Sequence, residues 1–393
     1  MRTFTLPRVD GVTYGPDSLG ALGGLVAKHG GHRPVVIMSG SLAGTWVEES
    51  VRDQLGDSLV GIHSKTPQHV PRTAVLQAAS MAREGGADSI VSVGGGTPID
   101  CAKAVAMCLA TGVKTAEDFE TYRVRFTYPD VYEVPEMPAE YIPHIAVPTT
   151  LSGGEHTALT GVTDEVTRSK GAYTAKGLIP REVILDPAVA ALTPDWLWAA
   201  SGIRAVDHAV EGILSIRSMA VADALGGEAL RLIAQNLVHS TRNPDDVEAR
   251  TNCMLATWLS IFAATNVGMG LSHGIGHQLA AEFDITHGVT SAIMLPRVME
   301  FNAAVTRPQL RRIAEALGSD TRDLDDAEAA DQAIAAVRLL VSALGVTDTI
   351  SAARGRREAF PTLAEHIMGD AAVAASPRPV SKADILELLE SAW

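Results

Sequence analysis

Residues 91–106 read VSVGGGTPIDCAKAVA: an apolar strand-like run, three consecutive glycines, then Thr97-Pro98 opening a stretch of helical apolar period. Glycines let a backbone come close to a diphosphate, and a helix N-terminus offers free N–H groups and a favourable dipole. Proline suits the first helical turn. The segment predicts a strand, a phosphate-binding loop and a helix in succession. It is not the GxGxxG spacing of the Rossmann fingerprint. A glycine-rich turn without a ligand is the alternative reading of this segment taken alone.

Working outward, residues 34–39 (PVVIMS), 89–93 (SIVSV), 144–148 (HIAVP) and 183–186 (VILD) read as strands, with helical patterns at 74–85 and 99–109. Continuous apolar strands separated by helices indicate a parallel sheet covered on both faces. Residues 122–140 are rich in aromatics and proline, show no period, and read as a long loop. From about Leu192 the character changes. Residues 196–214, 221–237, 249–268, 309–317 and 327–344 have helical lengths and little β-branched alternation. The expected architecture is an N-terminal α/β domain (residues 1–188) whose parallel sheet binds a dinucleotide, and an all-helical C-terminal domain (189–393). The joint is placed near Asp186-Pro187, because the residue before a proline disfavours helix.

Composition narrows the function. A chain of 393 residues favours two cores over one. Apolar residues at 46% and charged residues at 20% describe a globular protein. The formal charge is 32 − 46 = −14 with no Lys/Arg block, which argues against nucleic acid or anionic membrane as a partner. An anionic small substrate stays open, since a few local cations suffice for it. Cys101, Cys108 and Cys253 form no CxxC pair and read as buried thiols. The start, MRTFTLPRVDG, has no apolar h-region, so a cytoplasmic location is expected. Residues 251–281 carry no Asp, Glu, Lys or Arg, but Thr, Asn, Ser, Gly and two histidines interrupt the run. A buried core helix leading into a polar site fits better than a membrane span.

That polar site reads GLSHGIGHQLAAEFDITHG at 270–288. His273 and His277, four residues apart, share one helix face, and His287 follows beyond a turn. His208 lies in GIRAVDHAVEG at 202–212. A lone histidine is usually a core or surface residue; three in one short motif point to a site. Asp207 and Glu211 are spaced as a helical i, i+4 pair, expected at the surface or paired with Arg204.

With Lys103 following, GGGTPID at 94–100 resembles the GGGSPID-type loop of the iron-containing alcohol dehydrogenases. VPTTLSGGEHT at 147–157 is similar to that family's PTTxxTGSE segment, and the likeness continues through Asp186-Pro187, 202–212 and 270–302 in the family's order. The resemblance implies a dehydroquinate synthase-like architecture and NAD(P)H as cofactor. It implies that Gly94, Gly95, Gly96 and Thr97 hold the diphosphate, while Thr149 and Thr150 approach the phosphates and the nicotinamide ribose. Two hydroxyls after an apolar strand also suit that task chemically. Ser39 and Gly40 fall at the adenosine end. Where NAD-preferring relatives often place an acidic residue, this chain has Ser39-Gly40-Ser41. Nothing there repels a 2′-phosphate, and no neighbouring arginine requires one, so NAD and NADP both remain open.

The family pattern further assigns His208, His273 and His287 as metal ligands and His277 as a proton relay near the nicotinamide. It asks for an Asp four residues before His208, where this chain has Arg204. A cation cannot ligate Fe or Zn and repels it, so the expectation is an enzyme that is metal-independent or binds metal weakly. In this the chain resembles the maleylacetate reductase branch, as it does at Gln68-His69-Val70-Pro71, while GGGTPID and 274–278 are closer to ordinary alcohol dehydrogenases. Arg204 suits charge stabilisation or the bidentate grip of a substrate carboxylate, against a purely structural pairing with Asp207 or Glu211.

The expected activity is hydride transfer between NAD(P)H and a small carbonyl or enoyl/oxo-acid substrate. Arg204 and His208 would stabilise charge on oxygen and His277 would deliver the proton, in a cleft between the domains. Three rivals stand beside it: a metal-dependent alcohol dehydrogenase or aldehyde reductase, a dehydroquinate synthase-like lyase, and a non-catalytic nucleotide-binding relative. The expected partners are a small-molecule substrate, carboxylated or not, and a second copy of the chain in a homodimer.

Overall fold

A computed structural model describes residues 3–5, 8–128, 131–167 and 169–393. The chain divides into two compact units: one comprises Leu6–Arg125 and Tyr132–Thr193, the other Met1–Thr5, Phe126–Val131 and Pro194–Trp393.

In the first unit the elements run β1 (Gly11–Tyr14), α1 (Leu22–Lys28), β2 (Pro34–Met38), α2 (Trp46–Leu55), β3 (Gly61–His63), α3 (Arg72–Glu84), β4 (Ser89–Gly94) and α4 (Gly96–Thr111). After β5 (Arg125–Thr127) and β6 (Val131–Glu133), of which Phe126, Thr127 and Val131 belong to the other unit, come β7 (His144–Pro148), β8 (Leu159–Asp164), β9 (Ser169–Thr174), β10 (Glu182–Leu185) and α5 (Pro187–Ala190). Six strands form a parallel sheet in the order β1-β10-β7-β4-β2-β3. Alternation along β2 shows why its run is apolar throughout. Val35 and Ile37 enter a core with Val75 and Ala78 of α3 and Val105 of α4. Val36 and Met38 enter another with Leu22, Val26, Val47 and Val51 of α1 and α2. Each face of the sheet is covered, so every position must be apolar.

The four expected strands are present; β1 and β3 were not foreseen. Three- and four-residue strands are too short to display a period. The hairpin β8–β9 was also missed. The long loop expected at 122–140 is corrected: β5 and β6 lie within it as a two-stranded sheet. Their residues are largely exposed, so no apolar pattern announces them.

The strand order reverses at one point of the sheet. From β2 the chain moves outward to β3, whereas from β4 it moves the other way to β7 and β10. The reversal lies between β2 and β4, and ligands of open α/β sheets bind beyond the strand C-termini at such a switch point. Ser39 follows β2 there and Gly94 ends β4.

The second unit is built from helices α6 (Asp195–Leu214), α7 (Ala220–Arg242), α8 (Val247–Val267), α9 (Leu271–Phe283), α10 (His287–Ala316), α11 (Asp326–Ala343), α12 (Phe360–Met368) and α13 (Lys382–Ser391). Helix α6 is buried almost throughout and packs on α7, α8 and α10. The uncharged run at 251–281 becomes α8 and α9, which meet at 105° beyond Gly268. Among the described residues no single helix is long and apolar enough to cross a membrane. All three cysteines are buried free thiols.

Candidate active site

At the sheet's C-terminal edge, β4 ends in Gly94 with φ +138°, a conformation that L side chains rarely adopt. A Cβ there would stand 2.1 Å from Ser39 Oγ and 2.8 Å from Pro98 Cγ. Gly94 O accepts from Thr149 N at 3.0 Å, and Ser39 N donates to Val93 O at 2.9 Å. Ser39, Gly94 and Thr149 thus stand side by side at the ends of β2, β4 and β7. Gly95 then caps α4, whose first turn has no side-chain cap. Gly95, Gly96 and Thr97 are partly exposed, while Thr149 and Thr150 are buried. A Cβ on Gly95 would lie 3.1 Å from Thr150 Cγ2, and one on Gly96 3.4 Å from Ser152 Oγ. An open helix N-terminus in a cradle that any Cβ would begin to fill fits a diphosphate.

Lys103, in the third turn of α4, holds the neighbouring segment in place. Its Nζ donates to Gly154 O (2.5 Å), Leu159 O (2.9 Å) and Thr157 Oγ1 (3.2 Å). Burial pulls its pKa down to about 8, partly offset by Asp100 and Glu155. The sequence motif included Lys103 without revealing this stapling role.

In the helical unit, three helices bring the histidines together. Ring centroids are 5.0 Å apart for His208 and His273, 6.1 Å for His273 and His277, and 5.7 Å for His277 and His287. His208 comes from α6, His273 and His277 from α9, and His287 begins α10. Arg204, one turn before His208, is in the same site. Its Nη2 lies 3.4 Å from His277 Nε2, and its Nη1 donates to Ser291 Oγ at 3.1 Å and lies 3.5 Å from Asp207.

Asp207 and Glu211 are not surface residues, a correction to the first of the two expectations for them: both are buried against α9. Glu211 accepts from the backbone N–H groups of Gly270 (2.9 Å), Ser272 (2.6 Å) and His273 (3.2 Å), capping the α9 N-terminus from another helix. It also takes His273 Nδ1–H at 2.7 Å. Asp207 Oδ2 accepts from Ser272 (3.1 Å) and Ser291 (2.5 Å) and lies 3.4 Å from His273 Nδ1. Burial and Arg204 oppose a charge on His273, yet Asp207 and Glu211 together raise its pKa above the ordinary value. His208 behaves oppositely: burial, then His273 and Arg204, hold it neutral. Burial raises the Asp207 pKa, but His273 and Arg204 outweigh it and keep the group ionised. Burial lowers the Arg204 pKa, but a guanidinium stays charged at neutral pH.

This donor set departs from the one that the family's metal pattern asks for. The position of the expected carboxylate carries a cation, Arg204. Asp207, Glu211 and His273 do bring ligand-type atoms within 4.8 Å of one another. Glu211 is committed to capping α9, and Asp207 Oδ2 to two hydroxyls, Arg204 and His273, so the trio reads as a buried polar network.

One residue of the site left no signal in the sequence. Asp370, just before a short 3-10 helix at Ala371–Ala375, accepts from His277 Nδ1 at 3.0 Å and from Gln278 Nε2 at 3.1 Å. It lies 93 residues from His277 in the chain.

Comparison with known proteins accounts for both units. The iron-containing alcohol dehydrogenase model matches residues 10–187, and that of the Fe-containing alcohol dehydrogenase family, C-terminal, matches 198–393. An NAD-dependent methanol dehydrogenase of Bacillus methanolicus is 27% identical over 395 residues, covering 100% of each chain. Maleylacetate reductase 2 of Cupriavidus pinatubonensis is 29% identical over 382 residues, 97% of this chain and 94% of that one. The crystal structure of a 1,3-propanediol oxidoreductase matches with a TM-score of 0.91 and 26% identity, covering 100% of both chains. A glycine loop at a sheet switch point, a histidine cluster on three helices and family models over both units agree, and the chain belongs to the iron-containing alcohol dehydrogenase family of oxidoreductases.

Proposed function

We propose that this oxidoreductase reduces a small carbonyl or enoyl/oxo-acid substrate with NAD(P)H and does so without requiring a metal ion; a relative named maleylacetate reductase supports the oxo-acid part of the reading. The observation that carries the reading is the buried Arg204 guanidinium, 3.4 Å from His277 Nε2 in the histidine cluster.

A bound nicotinamide supplies the hydride; the chain's own groups handle charge and proton. Arg204 is aimed to stabilise negative charge growing on the substrate oxygen, and a substrate carboxylate is a second anion it can pair with. His208, held neutral, offers one ring N–H as a further donor. His277, half-exposed beside them, delivers the proton directly or through a water. The dinucleotide is assigned to Gly94–Thr97 with Thr149 and Thr150, and the relative named NAD-dependent supports a nicotinamide cofactor.

A second reading, metal-dependent alcohol oxidation through three histidines, is favoured by one observation. His208 Nδ1 and His273 Nε2 are buried without a hydrogen-bond partner, and neutral three-His sites do bind zinc.

One experiment separates the two: NADH and NADPH oxidation across aldehydes, ketones and oxo-acids, with chelator and with added Fe or Zn. Turnover that survives chelation is expected. Arg204→Asp should gain metal affinity, read by metal content after dialysis, while losing native turnover. Stoichiometric Fe or Zn in the purified wild type, with activity abolished by chelation and restored by that metal, defeats the proposal.

A further inference from the structure

Asp370 stands at the edge of the site with both oxygens committed. Oδ1 accepts from Ala372 N at 3.0 Å and caps the short helix at Ala371–Ala375. Oδ2 accepts from Gln278 Nε2 and faces His277 Nδ1. Two anchors fix the carboxylate plane, so the oxygen beside His277 is held in place. Burial pushes the Asp370 pKa up, but His277, the Ala372 N–H and Gln278 outweigh it and keep the group ionised. An ionised carboxylate only accepts.

The other edge of the ring is equally constrained. His277 Nε2 faces Arg204 Nη2, and a guanidinium only donates. Of the two neutral tautomers, only the one with hydrogen on Nδ1 and a lone pair on Nε2 satisfies both neighbours. We infer that Asp370 is a positioning residue for the reaction: it fixes the His277 tautomer and ring plane so that Nε2 is the proton-carrying atom. The inference rests on the proton role given to His277 above.

Asp370→Asn separates this role from capping. Asparagine caps helices as well as aspartate does, so its oxygen can keep Ala372 N while its amide turns a donor toward His277 Nδ1. The readouts are kcat, KM, NAD(P)H affinity, the thermal midpoint, and the ring 15N resonances of His277 assigned by comparison with His277→Gln. Wild type should show hydrogen on Nδ1. The variant should shift it to Nε2 and lose at least about tenfold in kcat, with KM and NAD(P)H affinity within about threefold. A wild-type His277 carrying its hydrogen on Nε2 overturns the inference without any variant having to fold. Near-normal kcat in Asp370→Asn beside an inactive His277→Ala overturns it alone. Near-normal kcat in His277→Ala overturns both this inference and the proton role it rests on.

Discussion

Arg204 and Asp207 together invert the charge pattern expected on this face of α6. The acidic group moves three residues along the helix, where it faces His273, Ser272 and Ser291. The buried guanidinium keeps a counter-charge within 3.5 Å, and that lowers the cost of burying it. At the other site, single atoms decide the fit. Gly95 has an ordinary φ of −76°, so a side chain there causes no backbone strain, but its Cβ would stand 3.1 Å from Thr150 Cγ2 and intrude on the cradle. Gly95→Val is expected to fold and to bind NAD(P)H at least about tenfold more weakly, roughly 1.4 kcal/mol. Fluorescence titration of the folded variant checks this, and unchanged affinity would remove the diphosphate from this loop.

At the scale of elements, the site depends on how closely α6 and α10 approach. A Cβ on Gly288 would lie 2.0 Å from Ala200 O, a backbone atom that cannot swing aside. Gly288→Ala must therefore part the two helices that carry Arg204, His208 and His287. The expected cost is about 1–3 kcal/mol, the usual range for overpacking. Turnover should fall with it, because the histidine spacing changes. Denaturant midpoints with an unchanged m-value test this, and a variant as stable as wild type would show the contact to be yielding. Glu211 makes a complementary contribution. Gly270 at the α9 N-cap has no side chain to offer, so a carboxylate from α6 satisfies the exposed N–H groups, and this ties His273 to its partners.

For the whole molecule, buried histidines predict how stability responds to acid. Burial, with a smaller contribution from Lys103, drives the pKa of both His144 and His156 from 6.5 down to about 3. Between those values the unfolded chain binds protons that the folded one refuses, so stability is present above about pH 6.5 and is lost as pH falls toward 3. Each such histidine contributes a slope of up to about 1.4 kcal/mol per pH unit. His144 sits on β7 with Nε2 2.7 Å from Ser92 Oγ, and His144→Gln removes its titration. Ionised carboxylates add to acid sensitivity in both proteins, so the difference between them is the measurement. Unfolding free energies at pH 7 and pH 5 should fall less steeply in the variant. Equal slopes would mean that His144 charges freely in the folded state.

Much of this was legible along the chain because it repeats at short range. The apolar runs of β2, β4, β7 and β10, the glycines ending β4, and the i, i+4 spacing of His273 and His277 each follow from backbone geometry over a few residues. Arg204 stood out only against the family pattern, which asks for an Asp one turn before His208. Elements of three or four residues such as β1 and β3 escaped, being too short for any period to appear. What only the tertiary structure decided is which polar groups are buried together. For Asp207 and Glu211 a surface place and a pairing with Arg204 both stood open; α9 covers the two, and Asp207 keeps Arg204 at 3.5 Å, while Asp370 acquired meaning only beside His277. A side chain's periodicity is set by its own helix or strand, but its ionisation and hydrogen-bond partners are set by whatever distant segment packs against it and excludes water.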